Sequence, residues 1–99
     1  MGIHYRNYVG NIVPTPKGEI IAISRFPHPE DNKLFLVCID TPNDYVVWMW
    51  NSEYEEYFWG DYTNKKHYEC DSIALAHALT KFSSRLKHTA ESCIPLRNN

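Results

Sequence analysis

His67, Cys70 and His77 are the residues of this 99-residue chain whose types and spacing come nearest to catalytic chemistry, with His88 and Cys93 further along. A His-x-x-Cys step can seat two ligands on one soft metal ion, and Cys70 lies about two helical turns before His77. A metal-assisted or thiol-based activity around His67, Cys70 and His77 is therefore geometrically conceivable. A structural zinc needs four ligands in compact pairs, and no Cys-x-x-Cys or His-x-x-x-His supplies the second pair. The plainer reading makes His67 a solvent-facing linker residue, His77 a polar-face helix residue and Cys70 a near-cap residue whose thiol the helix amides can acidify.

Other chemistry is fainter. There is no Gly-x-Ser-x-Gly elbow, and four widely spaced glycines cannot build a phosphate-binding loop. The carboxylates of Glu53, Glu55, Glu56 and Asp61 could be paired for hydrolysis, but most fall in or beside a hairpin loop, where acids are ordinary. Catalysis also needs a concave site that excludes water, and a chain this short has little depth to offer. The expectation is a non-enzymatic protein with no cofactor and no resident metal.

The segment from Tyr45 to Tyr62 carries a different signal. It holds all three tryptophans, five further aromatic rings, and neither lysine nor arginine. Trp and Tyr dominate protein interfaces because they bury much area at small entropic cost and keep a polar tip. Trp48, Trp50, Tyr57 and Trp59, rimmed by Glu53, Glu55, Glu56 and Asp61, are the candidate protein-binding residues. The expected partner is a second copy of the chain, with a homodimer favoured, or another protein. An alternative is an acidic inhibitor that occupies a nucleic-acid-binding groove of its partner. Residues 40–62 bear six acids and no base, so phosphate would be repelled where bases would have to stack, which argues against direct nucleic-acid binding.

Length, a 43% apolar fraction and a net charge of −2 bound these readings to one folded domain spanning residues 1–99. Three cysteines make no even disulfide framework, no signal peptide opens the chain, and no run is long enough to span a membrane, so a cytoplasmic setting is expected.

Several elements must position these side chains. Residues 3–9 can add a short edge strand, and VPTPKG reads as an extended segment and turn. EIIAISR, KLFLVCID, YVVWMWN and YFWGDYT read as strands, separated by FPHPEDN, TPN and NSEYE. If Asp40 faces Asp44, one sheet face collects Leu34, Leu36, Cys38, Val46, Trp48 and Trp50, joined by Tyr57 and Trp59. The other collects Phe35, Val37, Ile39, Tyr45, Val47 and Met49, joined by Phe58, Gly60 and Tyr62. Gly60 lets a neighbour approach closely.

After TNKKHYEC, a helix of about five turns is capped by Asp71 or Ser72, with Ile73, Leu75, Leu79, Phe82 and Leu86 at helical spacing and Ala74, Ala76 and Ala78 permitting close approach. Lys81, Arg85, Lys87 and His88 complement its carbonyl end, and TAESC leads out of it. The fold class is α+β, an antiparallel meander of three to four strands packed against one C-terminal helix in two layers. That helix is expected on the aliphatic face, over Val37, Ile39, Val47, Met49 and Gly60. The tryptophan face then needs the two chain ends, a second copy or a partner to cover it.

Overall fold

The computed structural model describes residues 8–14, 17–25 and 33–93. Antiparallel strands follow chain order across one sheet: β1 (Ile12–Pro14), β2 (Lys17–Arg25), β3 (Leu34–Asp40), β4 (Asp44–Asn51) and β5 (Glu56–Asn64). A short 3-10 turn (Lys65–His67) leads to one helix, α1 (Asp71–Cys93). Four strands are long and β1 is a three-residue edge piece, so the four-stranded, two-layer α+β reading holds. The strand expected over residues 3–9 lies mostly outside the described residues. The reversal at 26–32 and the tail from 94 lie wholly outside them.

Strand β3 is buried without interruption from Phe35 to Ile39. A continuous apolar run of this kind marks a central strand covered on both faces. Its register against β4 differs by one residue from the sequence expectation, because Asp40 pairs with Tyr45 and not with Asp44. Thr41 sets this register. Its N–H and hydroxyl both donate to the Asp44 carbonyl at 2.9 and 2.8 Å, and its Oγ1 accepts from the Asp44 N–H at 3.0 Å. Thr41 is thus held in the ladder opposite Asp44, leaving Pro42 and Asn43 as a two-residue reversal.

A slip of one residue moves every side chain of a strand to the other face. Phe35, Val37 and Ile39 therefore share the tryptophan face, and Leu36 and Cys38 lie with Tyr45 and Val47 beneath α1. The helix lies over β3, β4 and β5. Its buried stripe is centred on Ala74 and Ala78, neither of which has any exposed surface, with Leu75, Phe82 and Leu86 packed alongside. Ile73 and Leu79, expected in the apolar ridge, are exposed instead. Two alanines bring the helix axis close to Tyr45 and Val47, and the larger residues straddle that contact.

The helix also starts and ends differently from expectation. The Cys70 carbonyl accepts the first helical bond, from the Ala74 N–H at 3.2 Å, so Cys70 takes the N-cap place expected of Asp71 or Ser72. Asp71 instead accepts a 2.6 Å hydrogen bond from the buried Tyr45 hydroxyl, tying the first turn to β4. TAESC continues the helix to Cys93, since no breaker precedes Pro95. No basic residue therefore occupies the last turn, and the expected dipole role of Lys81, Arg85, Lys87 and His88 does not apply.

Candidate functional site

Strands β4 and β5 build an aromatic row on the sheet face opposite α1. Trp48 and Trp50 are two residues apart on one strand and so share a face, and Tyr57 pairs with Trp50 and joins that face, as expected. Trp50 and Tyr57 stack with centroids 6.1 Å apart. Trp48 meets Tyr57 at 5.7 Å and Tyr62 at 5.8 Å, each at 71°. Trp50 belongs to the core, with Tyr8 edge-on to it at 5.1 Å. Exposure rises along the row, from 7% at Trp50 to 54% at Tyr62.

A β-bulge makes this row possible. Val47 pairs with Asp61 and Met49 with Phe58, so two steps on β4 face three on β5. The extra residue reverses the alternation of β5. Tyr62 and Gly60 consequently join the tryptophan side and not the helix side. A Cβ on Gly60 would lie 3.1 to 3.3 Å from the rings of Tyr62 and Trp48, so the absence of a side chain lets the indole settle against the strand. Trp59, expected beside Tyr57 on that face, sits in the bulge with a left-handed backbone at φ 59°. Its ring packs edge-on to Phe58 at 5.2 Å and is 70% exposed.

Arg85 of α1 closes the ladder that the bulge opens. Its Nη1 donates to the Val47 carbonyl at 2.9 Å and to the Trp59 carbonyl at 2.7 Å, and burial of the guanidinium lowers its pKa. A backbone carbonyl left unpaired in this setting would cost about 1–3 kcal/mol. Lys81, one helical turn earlier, donates to the Tyr62 carbonyl at 3.1 Å and pairs with Asp61 at 3.3 Å. Both cations thus serve β5, which is an outer strand of the sheet. The bulge and the Lys81 contact interrupt the edge on which another strand would have to pair.

The expected acidic rim divides in two. Glu53 pairs with Lys33 at 2.6 Å and Asp61 faces the helix through Lys81. Glu55 and Glu56 lie exposed at the β4–β5 reversal beside the 66% exposed Tyr54. That reversal is shaped by the Asn51 side chain, which accepts from the N–H groups of Glu53 and Tyr54 at 2.9 and 3.2 Å. Burial and the nearby Glu55 carboxylate push the Tyr57 hydroxyl up to about 12.

Among the described residues no three His, Cys, Asp or Glu side chains form a group able to hold a metal, and His67, Cys70 and His77 are not brought together. The His77 ring packs on Tyr68 at 4.6 Å. Hydrogen bonding from the Ser72 hydroxyl and the Ile73 amide lowers the pKa of the exposed Cys70 thiol, whose Sγ lies 3.3 Å from Ser72 Oγ. Cys38 is its opposite, with no exposed surface and a pKa pushed up to about 12 by burial. A shallow depression at the β1–β3 end is lined by Lys17, Glu19, Asp40 and Lys65. There Lys65 is already engaged by Asp40 at 2.6 Å and the Thr41 carbonyl at 2.7 Å. Among the described residues no helix is long and apolar enough to cross a membrane.

Sequence reasoning anticipated the close approach at Gly60 but missed Arg85 and Lys81 as partners of β5. Their spacing of four on one helix face was the available signal, and it was absorbed into the dipole reading. Comparison of the chain with family models, with curated proteins and with solved structures finds no match.

Proposed function

We propose that this domain is a non-enzymatic protein-binding module whose contact surface is the exposed aromatic side chains of β4, β5 and their reversal: Tyr62 beside Trp48 and Tyr57 in the row, Trp59 at the bulge and Tyr54 at the reversal. Trp59 carries the reading. A bulky residue in the left-handed region costs on the order of 1 kcal/mol, and a ring that is 70% exposed recovers little of it through burial. Folding alone would be served as well by glycine at this position. An exposed tryptophan held in a strained backbone, with its carbonyl fixed by Arg85, is what a rigid contact residue requires.

Self-association and recognition of another protein are two forms of this function. Strand pairing along β5 is disfavoured by the bulge and Lys81, so either form relies on side chains. The test is a differential capture experiment on the native chain and a Trp59→Ser/Tyr62→Ser variant, including a second, differently tagged copy of the native chain among the prey. The expected result is a protein, or the second copy, retained by the native chain and lost from the variant while the amide spectrum of the variant stays native-like. An identical set retained by both would contradict the assignment.

A further inference from the structure

The partner's chemistry can be narrowed, on the premise that the aromatic row is a contact surface. Trp48 is flanked by two tyrosines, each inclined at 71° to it, and the strand beside it is the exposed Gly60. Ring faces present negative potential, and a cation over several of them is held more strongly the less water it keeps.

Among the described residues, the helix cations beside β5 are committed elsewhere. Arg85 is held by the Val47 and Trp59 carbonyls, and Lys81 by Asp61 and the Tyr62 carbonyl. Among the described residues, Lys65 over the Tyr45 ring at 4.6 Å, at another place in the fold, shows the same chemistry already satisfied. Glu55, without an ion pair among the described residues, acts electrostatically on Tyr57. Asp40, Glu53 and Asp61 are paired with lysines, whereas Glu55 and Glu56 stay exposed at the β4–β5 reversal, so the field at that end of the row favours a cation over an acidic segment.

We infer that the Trp48, Tyr57 and Tyr62 rings, with Glu55 at their margin, form a subsite for an arginine side chain presented by a basic segment of the partner protein. A guanidinium is planar, weakly hydrated and able to stack on a ring while donating to a carboxylate, which suits this arrangement better than a compact ammonium does.

The test titrates the full native chain with a short, end-blocked peptide alternating arginine and glycine, and follows the indole N–H resonances. A matched peptide carrying citrulline in place of arginine keeps the shape and removes the charge. The expected result is a saturable shift of the Trp48 indole signal with the arginine peptide, weakened by about tenfold with citrulline. Tyr62→Ala should weaken it similarly, Tyr62→Phe should restore it, and Glu55→Gln should cost about threefold.

Equal affinity for the two peptides would overturn the inference, as would a Trp48 shift that persists in Tyr62→Ala or no saturable shift at all. Such a failure is separable from failure of the contact-surface reading. Loss of capture on Trp59→Ser/Tyr62→Ser would still show a contact surface there, with a partner that is not cationic.

Discussion

The two faces of the sheet are equally apolar in sequence, yet they are completed in different ways. Under α1, Leu36, Cys38 and Val47 have essentially no exposed surface, and two alanines let the helix seal them. On the other face, Val37, Ile39 and Trp50 are buried, but the row that continues through Trp48, Tyr57 and Tyr62 opens to solvent at its β5 end. Apolar composition therefore does not by itself divide core from contact surface. The bulge at Trp59 does, because it reverses the alternation of β5 at that edge and turns outward the Tyr62 ring, which a regular strand would have placed under the helix.

The largest effect should come from the sealed face. Leu36→Ala removes a fully buried side chain, and an unfolding free energy lower by about 2–5 kcal/mol in urea titrations is expected. A loss below about 1 kcal/mol would mean that this face repacks freely and is no more tightly sealed than the other. Arg85→Ala comes next. It strands the Val47 and Trp59 carbonyls, and a loss of about 2–3 kcal/mol is expected. Arg85→Lys should recover part of that loss, and a neutral Arg85→Ala would show that water serves the bulge equally well.

Gly60→Ala probes the open face. The new methyl would press on Trp48 and Tyr62, so a cost of about 1 kcal/mol and a displaced Trp48 indole signal are expected. An unmoved signal would show the row to be loosely held.

Alkaline titration samples both faces in one experiment. Cys38 under the helix and Tyr57 in the row are both pushed up to about 12, from ordinary values of 9.0 and 10.0. A group whose pKa is raised on folding contributes fully below its unfolded value and loses that contribution as pH climbs through the folded one. Stability should thus decline from about pH 9 to pH 12, and Cys38→Ala should flatten the early part of that decline. A flat profile would show both groups to be better hydrated than their placement implies. Thiol reactivity separates two local environments without changing stability. Iodoacetamide at neutral pH should label Cys70 in the folded chain and Cys38 only after unfolding, read by peptide mass spectrometry. Labelling of Cys38 at the same rate as Cys70 would show that the helix does not seal its face.

Much of the architecture was legible in the amino-acid order. The β-branched and aromatic runs placed the long strands, and the alanine-rich segment after Cys70 placed the helix. What pattern could not resolve was parity. Whether Asp40 meets Asp44 or Tyr45 depends on Thr41 hydrogen-bonding across the turn, a side-chain choice that apolar periodicity does not report. The fate of Trp59 likewise depends on a bulge held by Arg85, some twenty-six residues away in sequence. The aromatic segment itself was recognisable as unusual. Its division into a core ring, Trp50, and an outer one, Trp59, was not, because both lie in the same run of rings and only the bulge distinguishes them.

The unfolding free energy of Trp59→Gly, set against the native chain, tests the central claim most directly. If Trp59 is a strained contact residue that folding does not need, glycine relieves the left-handed backbone and stability should be unchanged or higher by up to about 1 kcal/mol. A loss of about 2 kcal/mol or more would contradict the account, because it would make Trp59 a core residue and leave the proposed contact surface without its principal residue.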